Sequence, residues 1–157
     1  MTEPKIILFR ANDGINLKNS IHPFCGTKRG RANCLKTMVS KMNTGDICMF
    51  ITNQENGGRV IGMAEYTGFY DRADEPILPI HTFSNIDQGW IGDDAWDIQI
   101  HYKNLYLTEK QNIKVCIAGA SPIIYYESVK LKIESNLFTH YANFQFYAEP
   151  KKYKIAL

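Results

Sequence analysis

The chain has 157 residues, the length of one domain and enough to bury a hydrophobic core without disulfides or a metal. Its 45% apolar and 22% charged residues exclude a disordered polyelectrolyte, and the lack of any run of about 18 apolar residues excludes a spanning helix. The net charge of +2 conceals polarity along the chain: eight Lys/Arg stand against three Asp/Glu in residues 1–50, two against nine in 51–100, and eight against four in 101–157. A basic first third is suited to meeting phosphates, or to neutralising the acidic middle third within the fold.

In chain order, Lys5–Arg10 reads as a buried first strand, broken by the turn-forming run Ala11-Asn12-Asp13-Gly14. Residues 17–30, with Pro23, Gly26 and Gly30, read as irregular. Apolar positions Cys34, Leu35, Met38, Val39 and Met42 predict one face of a helix over 31–42. Gly45 and Asp46 then hand over to ICMFITNQENGGRVIGMAEY, residues 47–66, which reads as strand, Gly-Gly turn, strand. A long acidic loop follows from Tyr70 to Gly92, a length that in a compact domain often carries function. Asp97–Leu107 predicts a strand whose alternation breaks near Asn104. Short extended segments are expected at 113–117, 123–126 and 129–133, and residues 134–147 suit either helix or strand. Strands outnumber helices, so an α+β domain built on a strongly curved or closed sheet is expected.

The pattern of chemical groups points to binding rather than catalysis. His22, His81, His101 and His140 have no paired spacing, no dinucleotide or phosphate-loop motif is present, and Cys25, Cys34, Cys48 and Cys116 contain no CxxC pair. Neither catalytic residues nor a metal or cofactor is expected. A Cys25/His22 pair has only proximity in sequence to recommend it. Scattered cysteines and an N-terminus without a signal-peptide layout imply a reducing, intracellular setting, cytoplasm or nucleus. The cluster Lys28-Arg29-Gly30-Arg31, just before the predicted helix, is placed to clamp phosphates beside a helix N-terminus. Trp90 lies between Gly89 and Gly92, as a recognition residue carried on a loop would.

Taken together, the hairpin ending Gly62-Met63-Ala64-Glu65-Tyr66, the preceding Gly45-Asp46 and the Trp-bearing loop before the strand at 97–107 resemble the PUA-like superfamily, closest to YTH and EVE domains. The resemblance is clearest over residues 5–107 of a single domain spanning 1–157. It implies a PUA-like curved sheet or barrel flanked by a few helices, and a reader that takes one flipped, methylated base such as N6-methyladenine from RNA or DNA into an aromatic cage. It places Asn12 and Asp13 at the base edge. Phe24 stands where the family's first cage Trp stands, followed by Cys25, Gly26 and Thr27, and Trp90 and Trp96 straddle the loop that carries the opposing wall. Lys28, Arg29 and Arg31 take the phosphates. The partner implied is single-stranded or base-flipped nucleic acid, bound by a monomer away from any membrane. Two other readings remain open: a nucleic-acid- or nucleotide-processing enzyme on the same scaffold, and a protein-interaction domain, because a fold does not dictate a function.

Overall fold

A computed structural model describes residues 5–11, 14–27, 42–52, 58–71, 83, 87–90, 98–108, 115–116, 123–125, 132–133 and 141–153. The strands are β1 (Ile6–Arg10), β2 (Phe24–Thr27), β3 (Ile47–Ile51), β4 (Val60–Asp71), β5 (Ile98–Leu107), β6 (Val115–Cys116), β7 (Ile123–Tyr125), β8 (Lys132–Ile133) and β9 (Glu149–Pro150). Two short helices, α1 (Ile15–Asn19) and α2 (Tyr141–Phe144), are described, and α2 runs on into a 3-10 turn at Gln145–Tyr147. A seven-stranded sheet has the order β2-β5-β4-β3-β1-β7, with β9 beside β5, while β6 and β8 pair separately. β1 and β3 run parallel and the other pairs are antiparallel. Of the two forms expected from sequence, the described residues make the open one: β2 and β7 end the strand path, and no pairing joins them.

The sheet is mixed, with both faces covered at its centre. All five residues of β3 are buried. Cys48 and Phe50 join one core cluster with Ile7, Phe9 and Tyr66, while Ile47, Met49 and Ile51 join another with Leu8 and Met63. A strand buried on two faces must be apolar throughout, which is why ICMFI does not alternate. On the first face Leu17 of α1 and Met42 complete the core, and Tyr153 packs against it. On the second, Phe144 of α2 is fully buried.

The hairpin forms as its sequence predicts. Its mouth is closed by Thr52 N donating to Arg59 O at 2.9 Å and Arg59 N donating to Thr52 Oγ1 at 2.8 Å. Gly62 explains its own identity: a Cβ there would sit 2.9 Å from Leu107 Cδ2 and 3.1 Å from the Tyr106 carbonyl oxygen. Only glycine lets β4 and β5 approach this closely. The pairing of β4 with β5 slips between Met63 and Glu65 and again between Tyr66 and Gly68. Asn104, where the sequence pattern breaks, has φ of +52° opposite the first slip. Such irregularities add local twist. Phe50 and Tyr102 lie on strands separated by β4, yet their ring centroids are 5.3 Å apart, well inside the roughly 10 Å that two strand spacings span.

Two local expectations change and one open choice is resolved. β4 continues to Asp71, so the acidic loop begins later than Tyr70; the extension is held by β5, which pairs with it from Gly68 to Asp71. Residues 17–30, read as irregular, contain most of α1 and all of β2, each too short to show a period. The ambiguous stretch before 147 is helical in its described part. The helix expected over 31–42 lies outside the described residues apart from Met42, which is buried.

Candidate functional site

At the β2 edge the sheet carries a cluster of rings. β2 pairs with β5 in the register Phe24↔His101, Cys25↔Ile100, Gly26↔Gln99 and Thr27↔Ile98. Because side chains alternate along strands, Cys25 turns to the first core cluster with Ile100, and Phe24 shares the other face with His101 and Gln99. Phe24 is only 1% exposed. Its ring centroid lies 5.5 Å from that of His101, 6.4 Å from the nearly parallel ring of His22 and 6.5 Å from Trp90. Phe83 packs on His22 at 4.6 Å. The His101 Nε2 and Gln99 Oε1 atoms are 2.9 Å apart.

The acidic loop reaches this cluster through residues 87–90, and Gln88 fastens it there. The Gln88 side chain is fully buried. Its Oε1 accepts from His22 N at 2.6 Å, and its Nε2 donates to His22 O at 3.0 Å and Phe24 O at 2.8 Å. The Gln88 carbonyl also accepts from Ile21 N at 3.1 Å. One side-chain amide therefore stands in for a neighbouring strand along the backbone that leads into β2. Next to it, Gly89 has φ of +80°, and a Cβ there would lie 3.3 Å from the Asn19 carbonyl oxygen. Trp90 follows, partly exposed, with its indole Nε1 donating to Asn16 O of α1 at 2.7 Å.

The charges here are quiet. Burial pushes the His22 imidazole below its ordinary pKa, and nearby Asp87 pulls partly the other way, so the ring is neutral at physiological pH. His22 is 6% exposed, and its Nδ1 has no hydrogen-bond partner among the described residues. A buried polar atom left without a partner costs about 1–3 kcal/mol. Cys25 differs in kind: burial drives its thiol up to about 12, only slightly opposed by a backbone hydrogen bond. A protonated thiol facing the opposite side of the sheet from Phe24 makes no nucleophile for His22, so the Cys25/His22 pair is not a catalytic dyad.

Among the residues singled out by sequence, the structure brings together Phe24 and Trp90. They do not form two parallel walls. The rings meet edge to face at 63° with centroids 6.5 Å apart, not as the parallel pair that would sandwich a flat ligand. Gly26 is half-buried on the same face as Phe24, and Thr27 ends β2. Asn12, Asp13, Lys28, Arg29, Arg31 and Trp96 lie outside the described residues. Sequence reasoning passed over Gln88 and did not join His22 and His101 to Phe24. No linear signal marks Gln88 or His101, since one reaches Phe24 through side-chain bonds from a distant loop and the other through the pairing of β2 with β5.

Among the described residues no group of His, Cys, Asp and Glu could hold a metal ion, and no helix is long and apolar enough to cross a membrane. No family model, curated protein or solved structure matches this chain.

Proposed function

We propose that this chain is a PUA-like reader that holds a flipped, methylated base of a single nucleic acid strand against the face of Trp90. The observation that carries the reading is the state of that ring: partly exposed, with its N–H bound to Asn16 O and its flank against buried Phe24. A ring already fixed in orientation loses little freedom when a ligand stacks on it. Stacking of a base on such a side chain contributes about 1–3 kcal/mol and tolerates any base, because every base has a π face. Lys28, Arg29 and Arg31 follow directly in sequence after β2 and supply the phosphate contacts. A methyl group adds apolar area that packs on the indole. The resemblance of residues 5–107 to YTH and EVE domains supports the same reading.

The test is a binding panel of short RNA and DNA oligonucleotides, each with and without N6-methyladenine or 5-methylcytosine. Single strands carrying one modification are expected to bind tightest, with affinity falling as salt rises. Trp90→Ala is expected to weaken that binding by about 1–3 kcal/mol. A uniform response across the panel that is also indifferent to Trp90→Ala would sink the proposal.

A further inference from the structure

A helix leaves its last four carbonyls without partners inside it, and α1 has only five residues, too few to persist without outside support. Three of these carbonyls are met in succession by side chains from three different segments. Asn16 O accepts from Trp90 Nε1 at 2.7 Å, Leu17 O from Ser20 Oγ at 2.9 Å, and Lys18 O from Lys151 Nζ at 2.6 Å. The Ser20 hydroxyl lies 3.5 Å from the Tyr153 hydroxyl, which is 2.9 Å from that of buried Tyr102. Residues 149–153 are themselves anchored to β5, through the pairing of β9 and through Lys151 N donating to Leu105 O at 2.8 Å. The Lys151 ammonium also sits 5.0 Å from the centre of the Tyr153 ring, a favourable cation–π arrangement.

We propose that residues 149–153 set the position of Trp90: Lys151 and Tyr153 hold the C-terminal end of α1 against β5, and α1 in turn holds the indole through the Asn16 carbonyl. Neither residue touches Trp90 in this scheme, so both are positioning residues. A cation suits this place, since helix carbonyl ends attract positive charge. The inference deepens the reading of Trp90 as the ligand platform. Its consequence for affinity rests on that reading, whereas its consequence for the indole does not.

The chain has two tryptophans, so in a Trp96→Phe background the emission reports Trp90 alone. Lys151→Met, Tyr153→Phe and their combination are compared with Lys151→Arg by emission maximum, acrylamide quenching and thermal unfolding. The combined variant is expected to show red-shifted, more strongly quenched emission, and Lys151→Arg to behave as the parent. If the loosened indole occupies its place one-tenth of the time, affinity for the best oligonucleotide of the panel falls about tenfold. Unchanged emission and quenching in a folded combined variant would overturn the proposal. Should the combination not fold, Lys151→Met alone, which alters an exposed contact, decides on the same readout. Altered Trp90 emission together with oligonucleotide binding that ignores Trp90→Ala would uphold the positioning and refute the ligand reading.

Discussion

The indole N–H of Trp90 donates to the carbonyl oxygen of Asn16 across 74 residues of chain, at 2.7 Å. That bond joins the one described part of the acidic loop that carries a tryptophan to a helix of five residues. It fixes a large aromatic face at the surface without burying it. Trp90→Phe separates the two contributions of the side chain, because Phe keeps a π face and loses the donor. We expect folding stability to drop by about 0.5–1.5 kcal/mol, and oligonucleotide affinity to fall less than in Trp90→Ala. Equal affinity losses in Phe and Ala variants would show that the pinned orientation, rather than the ring itself, is what a ligand needs.

Gln88 is the residue on which the loop's attachment depends. Gln88→Ala removes three hydrogen bonds to the backbone of His22 and Phe24, leaving buried groups unsatisfied. At about 1 kcal/mol per bond the expected destabilisation is roughly 3 kcal/mol. Chemical denaturation measures it. A loss no larger than that of an ordinary surface substitution would mean that the segment before β2 holds itself in place.

Gly89→Ala tests the close approach beside Trp90. The new Cβ meets the Asn19 carbonyl and the Ile21 side chain at 3.3 Å, on a backbone with φ of +80°. Conformation and contact both oppose it, so a destabilisation above about 1 kcal/mol is expected. The emission of Trp90 in a Trp96→Phe background should change as well. A variant as stable as the parent, with unchanged emission, would contradict this geometry.

His22 predicts a pH dependence with a definite sign. Burial lowers its pKa in the folded state, against the opposing pull of Asp87, while the unfolded chain keeps the ordinary value near about 6.5. The unfolded state therefore binds the proton more readily. The contribution is fully present above the unfolded value and is lost as pH falls through it toward the lower folded value. Unfolding free energies of wild type and His22→Gln, compared at neutral and mildly acidic pH, isolate this term from the carboxylates. The gap between the two proteins should shift against wild type on acidification, and a pH-independent gap would remove His22 as the cause.

Much of the sheet was legible because its signals are local. The apolar run at 47–51 and the strand through Tyr66 pair antiparallel as they spell, and the rhythm of 97–107 survives as β5, with its break at Asn104. Phe24 and Trp90 were singled out as a pair and do meet. Their edge-to-face relation was not readable, because it depends on contacts far apart in sequence: Gln88 holding the loop to His22 and Phe24, and Trp90 Nε1 donating to Asn16 O across 74 residues.

By itself the sequence determined the hairpin, the long strand after the acidic loop and the presence of a tryptophan flanked by glycines, since hydrophobic periodicity and turn chemistry act over a few residues. The tertiary structure alone decided what surrounds that tryptophan. Gln88 in the place of a strand and the capping of α1 by Trp90 and Lys151 arise from orphaned backbone groups seeking partners wherever the fold brings them, and His101 meets Phe24 through the pairing of β5 with β2. A buried carbonyl or N–H must be satisfied, but nothing in the local sequence says by which distant residue.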